Sequence, residues 1–406
     1  MSTAFLLFAF ALILCVLFRI LNVNSQPQKP VFYYCDSSFL NKILKSAPIL
    51  EEPYIPTRLW GFSGHVQTIL YSFLGRTCCP WPVGERLFIP LLDKTTLTYD
   101  LFHPTAGSIN DGKYKDVTLI VVPGICNTSE SDYIRTFVNY AQNNGYRCAV
   151  LNHVGVLPNV PVTGRRIFTY GYTADLDAML VHLAGRYPKT KMIAFGYSMG
   201  GNLITKYLAE SHYKKPENLL GAVSVCQPYD ANAATDWLLH WQNFRRFYLY
   251  AMTEAIKGVV MKHRRILLAD DVKQKCSLNE REIISAATLP ELDDAYTRKV
   301  YNFSTLEELY RWSSCVYYLD NIKTPIIFIN AKDDPLVPEP LLEPVRKFAQ
   351  KRQEVVYMEL EHGGHLGFFE GGLFYPNPIA WLDRVSLALV GAFLLTHKDE
   401  TKVVRS

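Results

Sequence analysis

From Arg86 onward, short apolar runs are separated by turn residues. Residues 86–92 and Thr96–Phe102 read as a first antiparallel pair. Val117–Val122 and residues 148–152, 192–195 and 221–226 are nearly continuous apolar runs, the text of buried strands. Between them, Asp132–Asn143 and residues 173–185 carry helical spacing. Strands alternating with helices at this interval predict a mostly parallel sheet with helices on both faces. The pattern stops near Gln227. Residues 228–316 are helix-like and rich in charges and aromatics, among them Trp237, Trp241, Phe244, Phe247, Tyr248 and Tyr250. Strand text resumes at 326–330 and again at 354–360. A helical insertion at that point predicts a cap-like cover over the sheet; the plainer alternative is extra helices packed on the domain edge.

The stretch before Arg86 follows other rules. Residues 4–23 form an apolar run interrupted by one charge, Arg19. About twenty such residues at about 1.5 Å each match the roughly 30 Å core of a bilayer. A cleaved signal peptide is the rival, but a basic stretch before the run is missing and Arg19 breaks it. The expected organisation is an anchor and linker over 1–30 and a wrapping segment over 31–85. The sheet's first part then covers 86–227, the helical insertion 228–316, the sheet's second part 317–395 and a polar tail 396–406. Arg19, near the end of the apolar run, and Lys29 beyond it give a charge bias that favours a cytoplasmic body. The sequons at Asn127 and Asn302, candidate N-glycosylation sites, point weakly to the other side.

Composition changes the picture mainly by exclusion. The 406-residue chain has a net charge of +4, nearly balanced, which gives no support to nucleic acid as a partner. Its nine cysteines show neither a disulfide framework nor zinc-ligand spacing, and Cys78 and Cys79 are adjacent. No metal site and no phosphate-binding glycine loop emerges, so no cofactor is expected.

The candidate chemistry centres on Gly196-Tyr197-Ser198-Met199-Gly200, between a strand run and a helical run. At such a turn the serine hydroxyl is lifted clear of the sheet, beside the free N–H groups of a helix start. A serine hydroxyl is a poor nucleophile until a histidine takes its proton and an acid orients that histidine. On a parallel sheet both partners belong in loops at the carboxyl ends of later strands. Asp334 follows the run at 326–329, with Asp333 as its competitor; Pro335 favours Asp334. His365 follows the run at 355–360, with His362 as its competitor and a loop-supporting hydrogen bond as the expected role of His362. The oxyanion of an acyl-transfer intermediate needs two donors, expected from the backbone N–H of Met199 and of Ile125 in the loop after Val117–Val122. Cys126 lies close by without replacing Ser198.

These motifs, together with the stretches at 60–68, 133–137, 145–153, 224–227, 330–337 and 362–370, resemble the membrane-anchored α/β-hydrolase-domain family of lipases and esterases. The resemblance spans about residues 30 to 390. It implies an α/β-hydrolase fold with Ser198 as nucleophile, Asp334 as acid and His365 as base. It further implies a single N-terminal membrane helix in type II orientation, in the plasma membrane or endoplasmic reticulum, and a lipid ester as substrate, monoacylglycerols foremost. The His-x4-Asp signature of acyl transfer in relatives has no counterpart, because none of the ten histidines has Asp five positions on. His65 lies in the early motif, where it either lines the site or packs structurally. Two other functions stay open: a short-chain esterase or thioesterase, and a steroid- or lipid-binding receptor with ligand-regulated hydrolysis.

Overall fold

The computed structural model describes residues 3–22, 24–73, 80–110, 112–240 and 244–403. Cys78, Cys79, Trp241, Val23 of the expected anchor and the last residues of the expected tail lie outside them. Among the described residues, nine strands form one sheet: β1 (Val31–Tyr33), β2 (Glu85–Pro90), β3 (Thr96–Phe102), β4 (Val117–Val122), β5 (Arg147–Asn152), β6 (Lys191–Tyr197), β7 (Leu219–Val225), β8 (Ile326–Ala331) and β9 (Val355–Leu360). Their order is β1-β9-β8-β7-β6-β4-β5-β3-β2. The six strands from β5 across to β9 are parallel. β3 on β5, β2 on β3 and β1 on β9 are antiparallel.

Burial on both faces explains the unbroken apolar text of the central strands. In β4, Leu119 and Val121 join one core cluster while Ile120 and Val122 join the other. In β6, Ile193 and Phe195 face the first cluster, and Met192 and Ala194 face the second. The period of two sorts side chains between two helical layers, so neither face can carry charge cheaply.

The larger helices before β8 are α1 (Thr3–Leu21), α2 (Ser37–Ser46), α3 (Gly64–Phe73), α4 (Asp132–Asn143), α5 (Ala174–Arg186), α6 (Met199–Ala209), α7 (Ala231–Leu238) and α8 (Arg245–Lys262). Between β7 and β8 the described chain is helical, running from α7 and α8 through shorter turns to Leu306–Ser313. A capping box at Thr305 and Glu308 starts that last helix. Asn202 of α6 holds its end, donating to Ser313 O at 2.8 Å and accepting from Cys315 N at 2.9 Å. The insertion is thereby tied to the helix that begins at Ser198.

Three features depart from the expectations. The wrapping segment contributes an edge strand: β1 pairs with β9 in register Val31↔Glu359, too short to carry a readable period. The final helix, Trp381–Val403, runs through the expected start of the polar tail at 396; Thr396 is buried in it and donates to Ala392 O. Its apolar face covers the sheet through Val385, Leu389 and Phe393, which carries the helix past the point where polar text begins. Lastly, α1 covers most of the apolar N-terminal run, but no helix among the described residues is long and apolar enough to cross a membrane.

Candidate active site

Ser198 closes β6 and caps α6 with φ 53° and ψ −119°, a conformation that costs a non-glycine residue energy. The surrounding glycines make it feasible. A Cβ at Gly196 would come within 2.4 Å of Gly200 O, and one at Gly200 within 2.0 Å of Val122 O. The Ser198 N–H donates to Val225 O at 2.8 Å, which pins the turn to β7. The strain is held by the packed sheet and aims Oγ at the carboxyl ends of the strands.

His365 and Asp334 arrive from the loops after β9 and β8. His365 Nε2 lies 2.8 Å from Ser198 Oγ, and Nδ1 lies 2.8 Å from Asp334 Oδ2. The second Asp334 oxygen, Oδ1, accepts the N–H groups of Leu336 at 2.8 Å and Val337 at 3.1 Å. The His365 N–H donates to Thr68 Oγ1 at 2.8 Å. Each member of the chain therefore has a fixed orientation before substrate arrives. A carboxylate on Nδ1 leaves Nε2 as the acceptor facing the hydroxyl.

Asp333 and His362 turn away. Asp333 Oδ1 accepts the Gly364 N–H at 2.8 Å, and His362 Nε2 lies 2.7 Å from Ser25 Oγ. Burial pushes the Asp333 carboxyl above its ordinary range, opposed by the His362 ring and the Gly364 N–H. Both groups brace the loop that carries His365.

The loop after β4 closes the other side. Met199 is the first residue of α6, so its N–H has no acceptor within the helix. In Pro123-Gly124-Ile125-Cys126-Asn127 the Gly124 N–H donates to Tyr133 Oη at 2.9 Å and the Asn127 N–H to Gly124 O at 3.2 Å. Ile125 lines the space beside Ser198, where its N–H can serve as a second donor. His153 contacts Pro123 O at 2.9 Å through Nε2, and burial lowers its pKa to about 4. It is a neutral brace under the loop. Thr68, Tyr133 and His153 support the site; they lie in the stretches at 60–68, 133–137 and 145–153 that carry the resemblance, which assigned them no role.

Other candidates fall into place by geometry. Cys126 sits in the same loop, but burial raises its thiol to about 12, so it is no thiolate nucleophile. His65 Nδ1 lies 3.0 Å from Tyr248 Oη and its ring stacks on Tyr248, packing α3 against α8. Asn127 is half-buried: its Nδ2 donates to Ile125 O at 2.7 Å and the residue lines the space around Ser198. Asn302 is exposed in a turn. Cys226, Asp334 and His365 present donor atoms within 4.8 Å of one another. Asp334 and Ser198 engage both ring nitrogens of His365, and burial keeps the Cys226 thiol protonated, so the set suits proton relay better than metal ligation.

Two chambers meet at Ser198 and His365. One is mostly apolar, walled by Phe168, Leu238, Met252, Ile256, Leu289 and Leu309. The other carries more polar groups, Asn127, Glu130, Ser131 and Asp132 from the oxyanion-side loop and the start of α4, set beside apolar residues such as Met252 and Leu366.

Comparison with known proteins gives the family. The family model described as the alpha/beta hydrolase fold matches residues 117–372. The chain is 58% identical to Abhydrolase domain-containing protein 2 of Drosophila melanogaster over 98% of each chain. It is 42% identical to Monoacylglycerol lipase ABHD2 of Mus musculus over 97% of this chain and 92% of that one. A more distant relative, Phospholipase ABHD3 of Mus musculus, is 27% identical over 93% of this chain and 87% of its own length.

Proposed function

The chain belongs to the α/β-hydrolase family and is a carboxylic ester hydrolase; from that premise we propose that it cleaves esters of lipids, monoacylglycerols foremost, through Ser198, His365 and Asp334. The observation that carries this is the unbroken contact chain from Asp334 through His365 to Ser198 at the junction of an apolar and a more polar chamber. A relative named as a monoacylglycerol lipase supports the substrate class.

In this reading, Ser198 Oγ attacks the ester carbonyl as His365 Nε2 takes its proton. Asp334 holds the imidazole in the right tautomer and stabilises the imidazolium. The N–H groups of Met199 and Ile125 receive the carbonyl oxygen as it becomes an oxyanion. The tetrahedral species collapses with the C–O bond to the alcohol breaking, and His365 returns the proton to the departing oxygen. Water then attacks the acyl-enzyme, giving its proton to His365; a second collapse releases the fatty acid and restores Ser198.

Membrane attachment is the other half of the proposal, at the plasma membrane or endoplasmic reticulum. Its support is the surface of α1, where Phe8 is 68% and Phe10 is 60% exposed. Phe244 at the N-terminus of α8, Phe247 and Tyr250 on it, and Leu373, Phe374 and Tyr375 are also exposed. The segment around Leu59 and Trp60 joins these features: Trp60 Nε1 donates to Phe374 O and His65 packs edge-on against Phe244. The root of α1 is tied nearby, with Asn22 Nδ2 donating to Phe62 O. Such a rim suits contact with acyl chains.

The test compares wild-type and Ser198→Ala protein in native membranes for fluorophosphonate labelling and for hydrolysis of glycerol monooleate and a short-chain glycerol ester. Labelling and long-chain turnover that vanish together support the reading. Full esterase activity in Ser198→Ala protein, or a strong preference for the short ester, would overturn it.

A further inference from the structure

The apolar chamber contains a carboxyl that the mechanism above does not use. Asp293 lines the same space as Ser198, on the wall built by the inserted helices. It begins a π-helical turn, Asp293–Thr297, and Thr297 lines the chamber too. Widened turns of this kind are uncommon and recur at functional sites. Tyr310 Oη donates to Asp293 Oδ2 at 2.9 Å, and Thr235 completes a polar patch among apolar walls.

Three other enclosed carboxylates are each matched by a cation. Asp175 holds Arg166 at 2.7 Å, Glu370 holds Arg384 at 2.6 Å, and Glu359 holds Arg346. The neighbours acting on Asp293 are hydroxyls, from Tyr310 and Thr297. An acid placed in an apolar chamber without a cation is costly to ionise. Burial accordingly raises its pKa to about 6. A purely structural filler of that space would be apolar.

We propose that Asp293, oriented by Tyr310, is a recognition site for a hydroxyl group carried on the acyl chain of the substrate, remote from the ester bond. This rests on the reading that Ser198 cleaves lipid esters with the acyl chain in the apolar chamber. A neutral hydroxyl suits the site better than an amine, because a charged ligand would have to shed its water to pass the apolar walls. A plain hydrocarbon chain reaching the patch leaves Asp293 facing carbon, whereas a hydroxyl replaces the lost water with a hydrogen bond. The enzyme therefore favours hydroxylated over unsubstituted acyl groups.

The experiment uses full-length protein and two ester pairs, the glycerol monoesters and the methyl esters of ricinoleate and oleate. Within each pair the acyl groups differ by one mid-chain hydroxyl. An ω-hydroxylated chain is added to vary its position. Wild-type kcat/KM is expected to favour at least one hydroxylated chain by about tenfold, the worth of one good hydrogen bond to a carboxylate. Asp293→Leu brings that ratio to about one, Asp293→Asn retains part of it, and Tyr310→Phe weakens it. If Asp293→Leu does not fold, the Asn and Phe variants decide. Equal rates on all chains in wild-type protein, or a preference unaltered in the Asp293 and Tyr310 variants, would overturn the proposal. Turnover of methyl esters without glycerol esters would sink the monoacylglycerol reading while leaving the acyl-chain ratio measurable. Loss of all turnover in wild-type protein would sink both.

Discussion

Ser198–His365–Asp334 and Ser25–His362–Asp333 present the same three residue types in the same order of contact. In each, Nε2 of the histidine meets a serine Oγ, at 2.8 Å and 2.7 Å respectively. They differ at the far end and in their setting. His365 Nδ1 lies 2.8 Å from Asp334, while His362 Nδ1 lies 3.5 Å from Asp333. Ser198 sits at a strained strand-to-helix turn, facing a chamber and the start of a helix. Ser25 sits in a loop after α1, where its own N–H closes a turn onto Asn22 O. The second trio fastens the root of α1 to the loop that carries His365. Residue type supplies the possibility of catalysis; the backbone around the serine decides whether it is used.

The contrast breaks most sharply at the two serines. Ser198→Ala should lower kcat/KM on a long-chain ester by about five orders of magnitude, because the nucleophile itself is removed. Ser25→Ala should leave kcat within about threefold; a loss comparable to that of Ser198→Ala would show that the second trio is also catalytic. The two acids give the next largest difference. Asp334→Asn should cost about four orders of magnitude in kcat by stabilising the wrong histidine tautomer. Asp333→Asn should cost less than about tenfold, since an amide oxygen can still accept the Gly364 N–H.

Stability separates the trios more gently. His362→Phe removes the contact to Ser25 and should destabilise the fold by ~1–2 kcal/mol in chemical denaturation, with kcat affected less than stability. Stability as a function of pH supplies the smallest effect. Asp333 and Asp293 both have carboxyls raised by burial, Asp293 to about 6, above an unfolded value near 3.8. A raised carboxyl pKa means that the folded state holds the proton more tightly. The stability it contributes is present below the unfolded pKa and is lost as pH rises through the folded one. Asp293→Asn should therefore raise stability relative to wild type more at pH 8 than at pH 4, by on the order of 1 kcal/mol. Equal differences at the two pH values would contradict the raised pKa.

Much of this architecture could be read from local text. The strands at Val117–Val122 and Ile326–Ala331 declare themselves because both faces are buried and, apart from Thr118 and Asn330, every position is apolar. Asp132–Asn143 declares itself because one helical face must meet the sheet. The Gly-x-Ser-x-Gly turn is legible because only glycine tolerates the contacts at Gly196 and Gly200. β1 was not legible, since three residues cannot display a period and its partner lies more than three hundred positions away. Asp293 also escaped sequence reading. Among many charges in a helical insertion, nothing local distinguishes an acid facing a chamber from one facing water.

Sequence alone determined the alternation of strands and helices, the strained serine turn and the order serine, acid, histidine. Those properties are encoded in windows of a few residues, where side-chain periodicity and backbone sterics act directly. Tertiary structure decided which of two neighbouring Asp–His pairs reaches Ser198, and it placed Asn127 at the cleft. It also assembled two chambers from segments far apart in the chain. These outcomes depend on strand order, register and the docking of the inserted helices, which arise from packing between segments that do not neighbour one another in sequence.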